Sequence, residues 1–390
     1  MPIAMGSRSG LFAIITDPSG TSLLVERTPS GVSLPFVGLA PGDWSLVDGR
    51  EAKGITRAAR AVEHHTTMQV ETLYATEWPT GSEDVVRVLR IHAFVSSGPE
   101  ALPAAPYGWM DLDALRSLAW ARPFMADAVA ARDAVPEEGS LAAPWWKPGW
   151  MAQTVGWLDD QLAAAGRRRV GRVDQVKNDW QSVVLRAPSE GGDIYLKALA
   201  PPATQELAIL RDVFPAGAAV PRLLASDVAR GFLLMEDVRG VNPADCSRGS
   251  LAPEDLRALA EGYARLQQST GAVAPVHVLD CRLELTSELL SGVMDDLPTL
   301  LSGGDDLLSP AELASLRDLV SAVAEVCRNA DELGIPAHLT HGDLDGNSVV
   351  TPRGPVFYDW GAACITHPFF DLFEFRDSVR TARSEERRVG

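Results

Sequence analysis

The feature that most constrains this chain is a segment near its C-terminal end in which two acids flank a pair of short apolar runs. It reads His341-Gly-Asp343-Leu-Asp-Gly-Asn347-Ser348-Val-Val350 and continues to Val356-Phe-Tyr-Asp359-Trp360. The apolar runs predict two adjacent strands, which would return the chain on itself. Asp343 and Asp359, sixteen residues apart, are therefore expected in one cleft.

Two acids placed in this way suit phosphoryl transfer from ATP, which requires few protein groups. One carboxylate orients the acceptor hydroxyl and takes its proton, oxygen ligands hold magnesium against the phosphates, and a cation steadies the phosphates. We predict that Asp343 is the catalytic base and that Asp359 is a metal ligand.

The same segment resembles the catalytic loop of the aminoglycoside and choline kinase-like phosphotransferases, whose pattern is His-Gly-Asp, an asparagine and an Asp-Trp pair. The residues that follow, His367-Pro368 and Asp371-Leu372, match the family's continuation. The resemblance covers about residues 146–380 and implies a protein-kinase-like, two-lobed domain that uses ATP and Mg²⁺. Its small lobe would span about residues 168–238 and its helical lobe residues 239–380.

A lysine and a glutamate upstream agree with this resemblance. Lys197 ends the strand-like Ile194-Tyr-Leu-Lys197 and would contact the ATP phosphates, while Glu206 in the next helix would pair with it. The alternatives are a surface lysine on an edge strand and a glutamate on a helix surface. Lysine occurs only four times in the chain, which makes a lysine in a strand more informative than usual.

Two further segments complete the predicted nucleotide site. Leu233-Leu-Met-Glu236-Asp237 resembles the family's link between lobes, where the backbone of Glu236 and Val238 would read the adenine edge. Residues 173–186 resemble the hairpin that covers the phosphates, although no glycine-rich phosphate motif occurs in the chain.

The sequence departs from the family pattern in three places. The family's metal-ligand asparagine usually lies five residues after the catalytic aspartate, but here Asn347 lies four after Asp343, and Ser348 lies five after it. Either side chain offers magnesium an oxygen, so the ligand is Asn347 or Ser348. Asp345 replaces a histidine and either adds charge to the metal site or is solvated. The chain ends about eighteen residues after the Asp-Leu element, which predicts a truncated C-terminus and an incomplete acceptor pocket.

Residues 1–132 are predicted to form a separate small α/β domain, followed by a linker at residues 133–145. The expected elements are a hairpin at 11–27, a helix at 52–65, strands at 70–78 and 85–95, and a helix at 112–132. This order resembles a Nudix-type fold.

The motif helix of that fold has lost its metal-binding glutamates. Ala61, His64 and His65 stand in their places, and magnesium prefers oxygen ligands, so Nudix hydrolysis is not expected. Adjacent histidines on a helix point about 100° apart, which also disfavours a shared transition-metal site. The predicted role of the domain is packing against the kinase, ligand sensing or dimerisation.

Two local patterns predict structure on either side of the linker and in the helical lobe. Trp145, Trp146, Trp150 and Trp157 are expected to anchor a linker helix at 151–165 to the next domain, with ligand stacking as the alternative. A capping box at Ser309 and Glu312 predicts the start of a helix that Gly334 ends.

Charge and composition exclude several other classes of protein. A net charge of −17 argues against nucleic-acid binding. The sequence has no apolar run of the length that a membrane span needs and no signal-peptide pattern. Four scattered cysteines predict free thiols in a cytoplasmic protein.

The sequence as a whole predicts an α+β protein that moves the γ-phosphate of ATP to a hydroxyl of a sugar, amino sugar, aminoglycoside or amino alcohol. The alternative is a non-catalytic, nucleotide-binding regulator, which the shifted asparagine, the short C-terminus and the altered N-terminal domain favour. A protein kinase is disfavoured because no activation segment follows Asp359. The acceptor and the oligomeric state stay open.

Overall fold

The computed structural model describes most of the chain in twelve ranges. These are residues 10–38, 52–80, 87–96, 106–121, 123–133, 143–201, 204–214, 217–240, 253–270, 278–300, 309–344 and 346–371. The chain divides into two compact units, Met1–Ala203 with Leu224–Glu236, and Thr204–Leu223 with Asp237–Gly390. Most of the predicted linker and the predicted C-terminal truncation lie outside the described residues.

The first unit begins with a mixed sheet and three helices. The strands are β1 (Gly10–Thr16), β2 (Ser22–Thr28), β3 (Gly31–Ser33), β4 (Phe36–Gly38), β5 (Val70–Thr80), β6 (Arg87–Ser96) and β7 (Tyr107–Asp111), and the helices are α1 (Ala52–Thr66), α2 (Leu112–Leu115) and α3 (Pro123–Asp133). The strand order is β3-β2-β1-β6-β5, with β4 on β1 and β7 on β2, and β1 runs parallel to β6.

Strand β1 contributes apolar side chains to both faces of this sheet, because successive side chains of a strand point to opposite sides. Leu11, Ala13 and Ile15 pack in one cluster with residues of α1, and Phe12 and Ile14 pack in another with residues of α3. The sheet is therefore covered by a helix on each face.

The predicted helix at 112–132 is wrong as a single element. The chain leaves α2 to meet the sheet, where Val32 N–H donates to Ala119 O (2.9 Å) and Ala121 N–H donates to Val32 O (2.8 Å). The second helix then begins at Pro123, a residue that favours the first turn of a helix. Tertiary hydrogen bonds thus interrupt a segment of helical composition.

A second sheet completes the first unit. It follows a short 3₁₀ turn (Pro144–Trp146) and α4 (Trp150–Ala164), and its strands are β8 (Asp174–Asn178), β9 (Ser182–Ser189), β10 (Gly192–Leu199), β11 (Leu223–Asp227) and β12 (Phe232–Glu236). The order is β11-β12-β10-β9-β8, so β10 lies in the middle. The strand predicted at Ile194–Lys197 lies within β10, and β8 and β9 form the hairpin predicted at 173–186.

The tryptophans of the 3₁₀ turn and of α4 pack against this sheet, as the anchoring interpretation expects. Trp145 is buried and donates from Nε1 to Asp179 O (2.8 Å), and the rings of Trp150 and Trp157 meet Phe232 edge-on at 6.1 and 5.2 Å.

The second unit is mostly helical, with short strands near its C-terminal end. Its elements are α5 (Gln205–Ala208), a π-helical turn (Ile209–Val213), α6 (Pro253–Thr270), β13 (Leu279–Asp280), a 3₁₀ turn (Leu283–Leu285), α7 (Thr286–Leu300), α8 (Pro310–Asp331), β14 (His338–Thr340), β15 (Ser348–Thr351), β16 (Gly354–Phe357) and β17 (Cys364–Thr366). The helix expected to contain Glu206 is thus a single α turn that widens into a π turn.

Helix α8 begins and ends where the sequence predicts. Ser309 accepts from Glu312 N–H (3.3 Å), and the Glu312 carboxylate accepts from Ser309 N–H (2.7 Å), which completes the capping box. Gly334 follows the helix with a φ of +66°. None of the helices in the described part of the chain has the length and apolar character of a membrane span.

Candidate active site

The β15–β16 hairpin brings the two predicted catalytic acids to one end of a strand pair. Ser348 pairs with Phe357, and one residue further out Tyr358 N–H donates to Asn347 O (2.9 Å). Asp359 follows directly after this pair, and the loop that contains Asp343 leads into it from the other strand. The hairpin therefore places both loops side by side, as the spacing predicts.

Asn347 and Ser348 have different surroundings. The Asn347 side-chain amide donates to Asp343 O (2.6 Å) and to Asp343 Oδ2 (3.1 Å), and the Asp343 residue is exposed. Ser348 is 3% exposed at the start of β15. Both bonds of Asn347 use its nitrogen, so neither of them occupies its Oδ1.

Asp371 holds the backbone ahead of Asp343. Its Oδ2 accepts from His341 N–H (2.8 Å) and from the Tyr263 hydroxyl, and its Oδ1 accepts from Gly342 N–H (3.0 Å). The carboxylate is 3% exposed. Two backbone donors and a hydroxyl thus satisfy a buried charge and fix the loop.

His341 is a buried, neutral support for the same loop. Its Nε2 proton is donated to Tyr358 O (2.8 Å), and its ring lies 4.5 Å from that of buried Trp360. Burial lowers the pKa of His341, although the Tyr358 carbonyl and the carboxylates of Asp371, Asp359 and Asp343 act in the opposite direction. The hydrogen bond ties the Asp343 loop to the residue before Asp359.

Two backbone positions in the site have positive φ. Gly342 has a φ of +76°, and a Cβ there would lie 2.3 Å from Ala362 O, so only glycine fits between His341 and Asp343. Asp359 has a φ of +64° and precedes a 3₁₀ turn at Trp360–Ala362. A left-handed aspartate is uncommon and is typical of sites where the backbone aims a side chain.

Within the second unit, Glu206 lies close to the Asp359 loop. A Cβ on Gly361 would lie 3.7 Å from Asp359 Oδ1 and 4.0 Å from Glu206 Oε2. The neighbouring Gln205 donates from Nε2 to Gly361 O and to Ala363 O (3.2 Å). Glu206 is 1% exposed, so the interpretation as a helix-surface glutamate is wrong.

Lys197 lies in the first unit on the central strand β10. It is 5% exposed and pairs with Leu233 and Val184 on either side. Its neighbours Leu196 and Ala198 belong to the apolar cluster, so strand alternation places Lys197 on the opposite face. The edge-strand interpretation of Lys197 is therefore wrong.

The predicted adenine-reading segment comprises most of β12 and the residues directly after it. Glu236 pairs through its backbone with Ile194, and its side chain forms an ion pair with Arg167 (2.6 Å). Val238 lies two residues further on and is half-buried.

His64 and His65 lie in the last turn of α1. His65 Nε2 lies 2.6 Å from the Tyr107 hydroxyl, within hydrogen-bonding distance. Within the part of the chain that the structure describes, no three His, Cys, Asp or Glu side chains are grouped to hold a metal ion.

The sequence did not identify Tyr263 and Tyr358 as parts of the site. Tyr263 reaches Asp371 from α6, and the Tyr358 hydroxyl donates to Gly346 O (2.7 Å). Tyr358 directly precedes Asp359, so its position in the motif could have indicated a role in the site. Tyr263 lies 78 residues before His341, and nothing in the sequence around it indicates such a role.

Comparison with known proteins identifies the family. The model of the phosphotransferase enzyme family, APH, matches residues 170–389, more than half of the chain. The chain belongs to this family, which confirms the predicted family, the protein-kinase-like fold class and the enzyme class, a small-molecule phosphotransferase. Comparison with curated proteins gave no match.

Three solved structures illustrate what the chain is similar to. A choline/ethanolamine kinase family protein from Mesorhizobium loti is 21% identical, with a TM-score of 0.41 over 58% of this chain and 71% of that one. The choline kinase LicA from Streptococcus pneumoniae is 13% identical, with a TM-score of 0.43 over 60% and 78%. The aminoglycoside phosphotransferase APH(4)-Ia is 14% identical, with a TM-score of 0.41 over 61% and 83%. The Nudix-like character of the N-terminal domain stays a prediction.

Proposed function

We propose that this protein transfers the γ-phosphate of ATP, with Mg²⁺, to a hydroxyl group of a small molecule. The observation that carries this proposal is the arrangement of Asp343, Asn347 and Asp359 around one hairpin end, in a chain of the phosphotransferase family. The proposed acceptors are sugars, amino sugars, aminoglycosides and amino alcohols.

Asp343 is the proposed catalytic base. Its carboxylate is exposed, and its backbone is fixed through His341 and Gly342 to Asp371, so it can meet an incoming hydroxyl in a constant position. A positioned carboxylate orients the acceptor oxygen and takes its proton as the bond to phosphorus forms.

Asp359 and Asn347 are the proposed metal ligands. Both are hard oxygen donors, and magnesium is usually held by one or two protein ligands together with phosphate oxygens and water. The Asn347 nitrogen is committed to Asp343, which leaves Oδ1 for the metal, whereas Ser348 is buried in β15. Bound magnesium would neutralise the charge that develops on the transferred phosphate.

Lys197, Glu236 and Val238 are the proposed nucleotide contacts from the small lobe. Burial of a lysine ammonium is unfavourable unless an anion compensates it, and ATP phosphates would supply further anionic partners. Glu206 is proposed as the lysine's acidic partner. The backbone of Glu236 and Val238 would meet the adenine edge, since the Glu236 side chain already binds Arg167.

The rival function is a nucleotide-binding regulator without catalysis. One assay with one variant, Asp343→Asn, distinguishes the two functions. The assay is ADP release from ATP and Mg²⁺ with choline, ethanolamine and hygromycin B as first acceptors. The wild-type protein should release ADP faster with a suitable acceptor, and Asp343→Asn should lose at least about a hundredfold in rate, because the base is removed while the fold is kept.

The matched control is Asp318→Asn, which changes an exposed aspartate on α8. It should leave the rate unchanged. ADP release that does not respond to Asp343→Asn would refute the proposed base, and ATP binding without acceptor-dependent turnover across a wide panel would favour the regulator.

A further inference from the structure

The first unit contains a pocket apart from the proposed catalytic residues. It has a volume of about 360 Å³, within the range of small-molecule sites. Residues of α1, the start of β5, α4 and the segment leading into β8 line it: Ala59, Arg60, Gln69, Val70, Glu71, Thr72, Met151, Val155, Arg169, Arg172, Val173, Asp174 and Gln175.

Each of the three arginines in the wall already has a carboxylate partner. Arg60 bonds both oxygens of Asp174 at 3.0 Å. Arg169 bonds both oxygens of Asp159 at 2.8 Å. The remaining pair, between Arg172 and Glu63, is 2.7 Å long. These positive charges are therefore compensated within the protein.

Glu71 is the lining acid that has no such partner among the described residues. It is half-buried, no described donor lies within hydrogen-bonding distance of its carboxylate, and its one attraction is a longer-range one to Arg172. Burial raises the pKa of Glu71, which is the sign of a carboxylate short of compensation. The three arginines are matched by four carboxylates, which belong to Glu63, Glu71, Asp159 and Asp174. The pocket and its ion-pair partners therefore carry one net negative charge.

The rest of the wall is largely apolar. Met151 and Val155 come from α4, Val173 precedes β8, and Ala59 and Val70 come from the N-terminal domain. Met151 and Val173 also border the apolar cluster beneath the second sheet. A ligand that fits must therefore combine one cationic group with an apolar body.

We propose that this pocket binds a small organic amine whose ammonium group pairs with Glu71 and whose hydrocarbon portion packs between α4 and Val173. The ammonium supplies the hydrogen bonds that the Glu71 carboxylate lacks, and the hydrocarbon excludes water from the apolar wall. None of the residues that line the pocket belongs to the proposed catalytic residues, and the proposal does not rest on the proposed reaction.

The pocket adjoins the hairpin proposed to cover the ATP phosphates. Asp174 and Gln175 belong to β8, and Asn178 at the far end of this strand donates to Leu73 O (2.9 Å) in β5. An amine between these elements would contact the N-terminal domain and the hairpin strand together. This gives the N-terminal domain the ligand-sensing role that its sequence leaves open.

The test compares amines with alcohols of the same skeleton by isothermal titration of the full chain. The probes are 2-phenylethylamine with 2-phenylethanol, and cyclohexylmethylamine with cyclohexylmethanol. At least one amine should bind the wild-type protein about tenfold or more tightly than its alcohol. Glu71→Gln should remove this difference, since glutamine keeps the shape and loses the charge.

A second variant changes the affinity in the other direction. Arg60→Gln, at a side chain that is 60% exposed, frees the Asp174 carboxylate and should strengthen amine binding. Asp343→Asn should have no effect, which separates this pocket from an amine-binding acceptor site. Absence of amine binding, equal binding of amine and alcohol, or an unchanged preference in Glu71→Gln would overturn the proposal.

Discussion

His341 carries no exposed surface, and its single donated hydrogen bond goes to a backbone carbonyl, so the folded protein holds it as the neutral imidazole. Its pKa is lowered from the ordinary value of 6.5, chiefly by burial. The unfolded chain therefore binds a proton at a higher pH than the folded one does. The contribution to stability is complete above about pH 6.5 and is lost as the pH falls toward the lowered folded value.

This sign predicts that the free energy of unfolding declines as the pH is lowered from about 8 to about 5, and that His341→Gln declines less. Glutamine can still donate to the Tyr358 carbonyl but does not titrate. Urea unfolding of both proteins across the pH series measures the difference. Parallel pH profiles for the two proteins would contradict the buried neutral histidine.

A second prediction at this scale separates the two candidate magnesium ligands. Asn347→Ala should raise the magnesium concentration needed for ATP binding by about tenfold or more, because it removes both the proposed ligand oxygen and the bond to Asp343. Ser348→Ala should leave that concentration unchanged. Titration of magnesium at fixed ATP measures both, and the reverse order would assign the ligand to Ser348.

At the scale of elements, α8 shows how much a local pattern can determine. The reciprocal hydrogen bonds between Ser309 and Glu312 satisfy donors that a helix start otherwise leaves open. Ser309→Ala should therefore lower the free energy of unfolding by about 1 kcal/mol. Ser315→Ala, on the exposed surface of the same helix, should be neutral or slightly stabilising, because that hydroxyl only bonds back to Ala311 O. Equal effects in urea unfolding would show that the cap contributes nothing.

Elements with local signals were predictable from the sequence for the same reason. The capping box, the apolar run of β1 and the hairpin turn before β2 depend on residues a few positions apart. The break between α2 and α3 was not predictable, because it depends on hydrogen bonds to Val32, nearly ninety residues away.

The candidate site likewise has some features that a local sequence pattern predicts and others that depend on long-range contacts. His341, Asp343 and Asp359 form a motif with a fixed spacing, so their proximity followed from the sequence. The anchoring of that motif by Tyr263 and Asp371 joins three distant segments, and only the fold reveals it. The proposed preference for Asn347 over Ser348 likewise rests on the fold, through the burial of Ser348 and the hydrogen bonds of Asn347.

At the scale of the whole molecule, the proposed nucleotide-site residues belong to both compact units. Lys197 and Glu236 lie in the first unit, and Asp343, Asn347 and Asp359 lie in the second. Family membership covers residues from both, because the matched region runs from residue 170 to residue 389. The proposed site is therefore tested on the full chain, and nucleotide binding reports on it before any acceptor is known.

The most direct test of the account is thermal unfolding of the full chain with and without ATP and magnesium. A ligand at about 100 times its dissociation constant stabilises the folded state by about 2.7 kcal/mol, which raises the unfolding midpoint by several degrees. We predict that this rise requires magnesium, persists in Asp343→Asn and is lost in Asp359→Asn. An unchanged midpoint in the folded wild-type protein, or the same rise in Asp359→Asn, would contradict the proposed magnesium and nucleotide site.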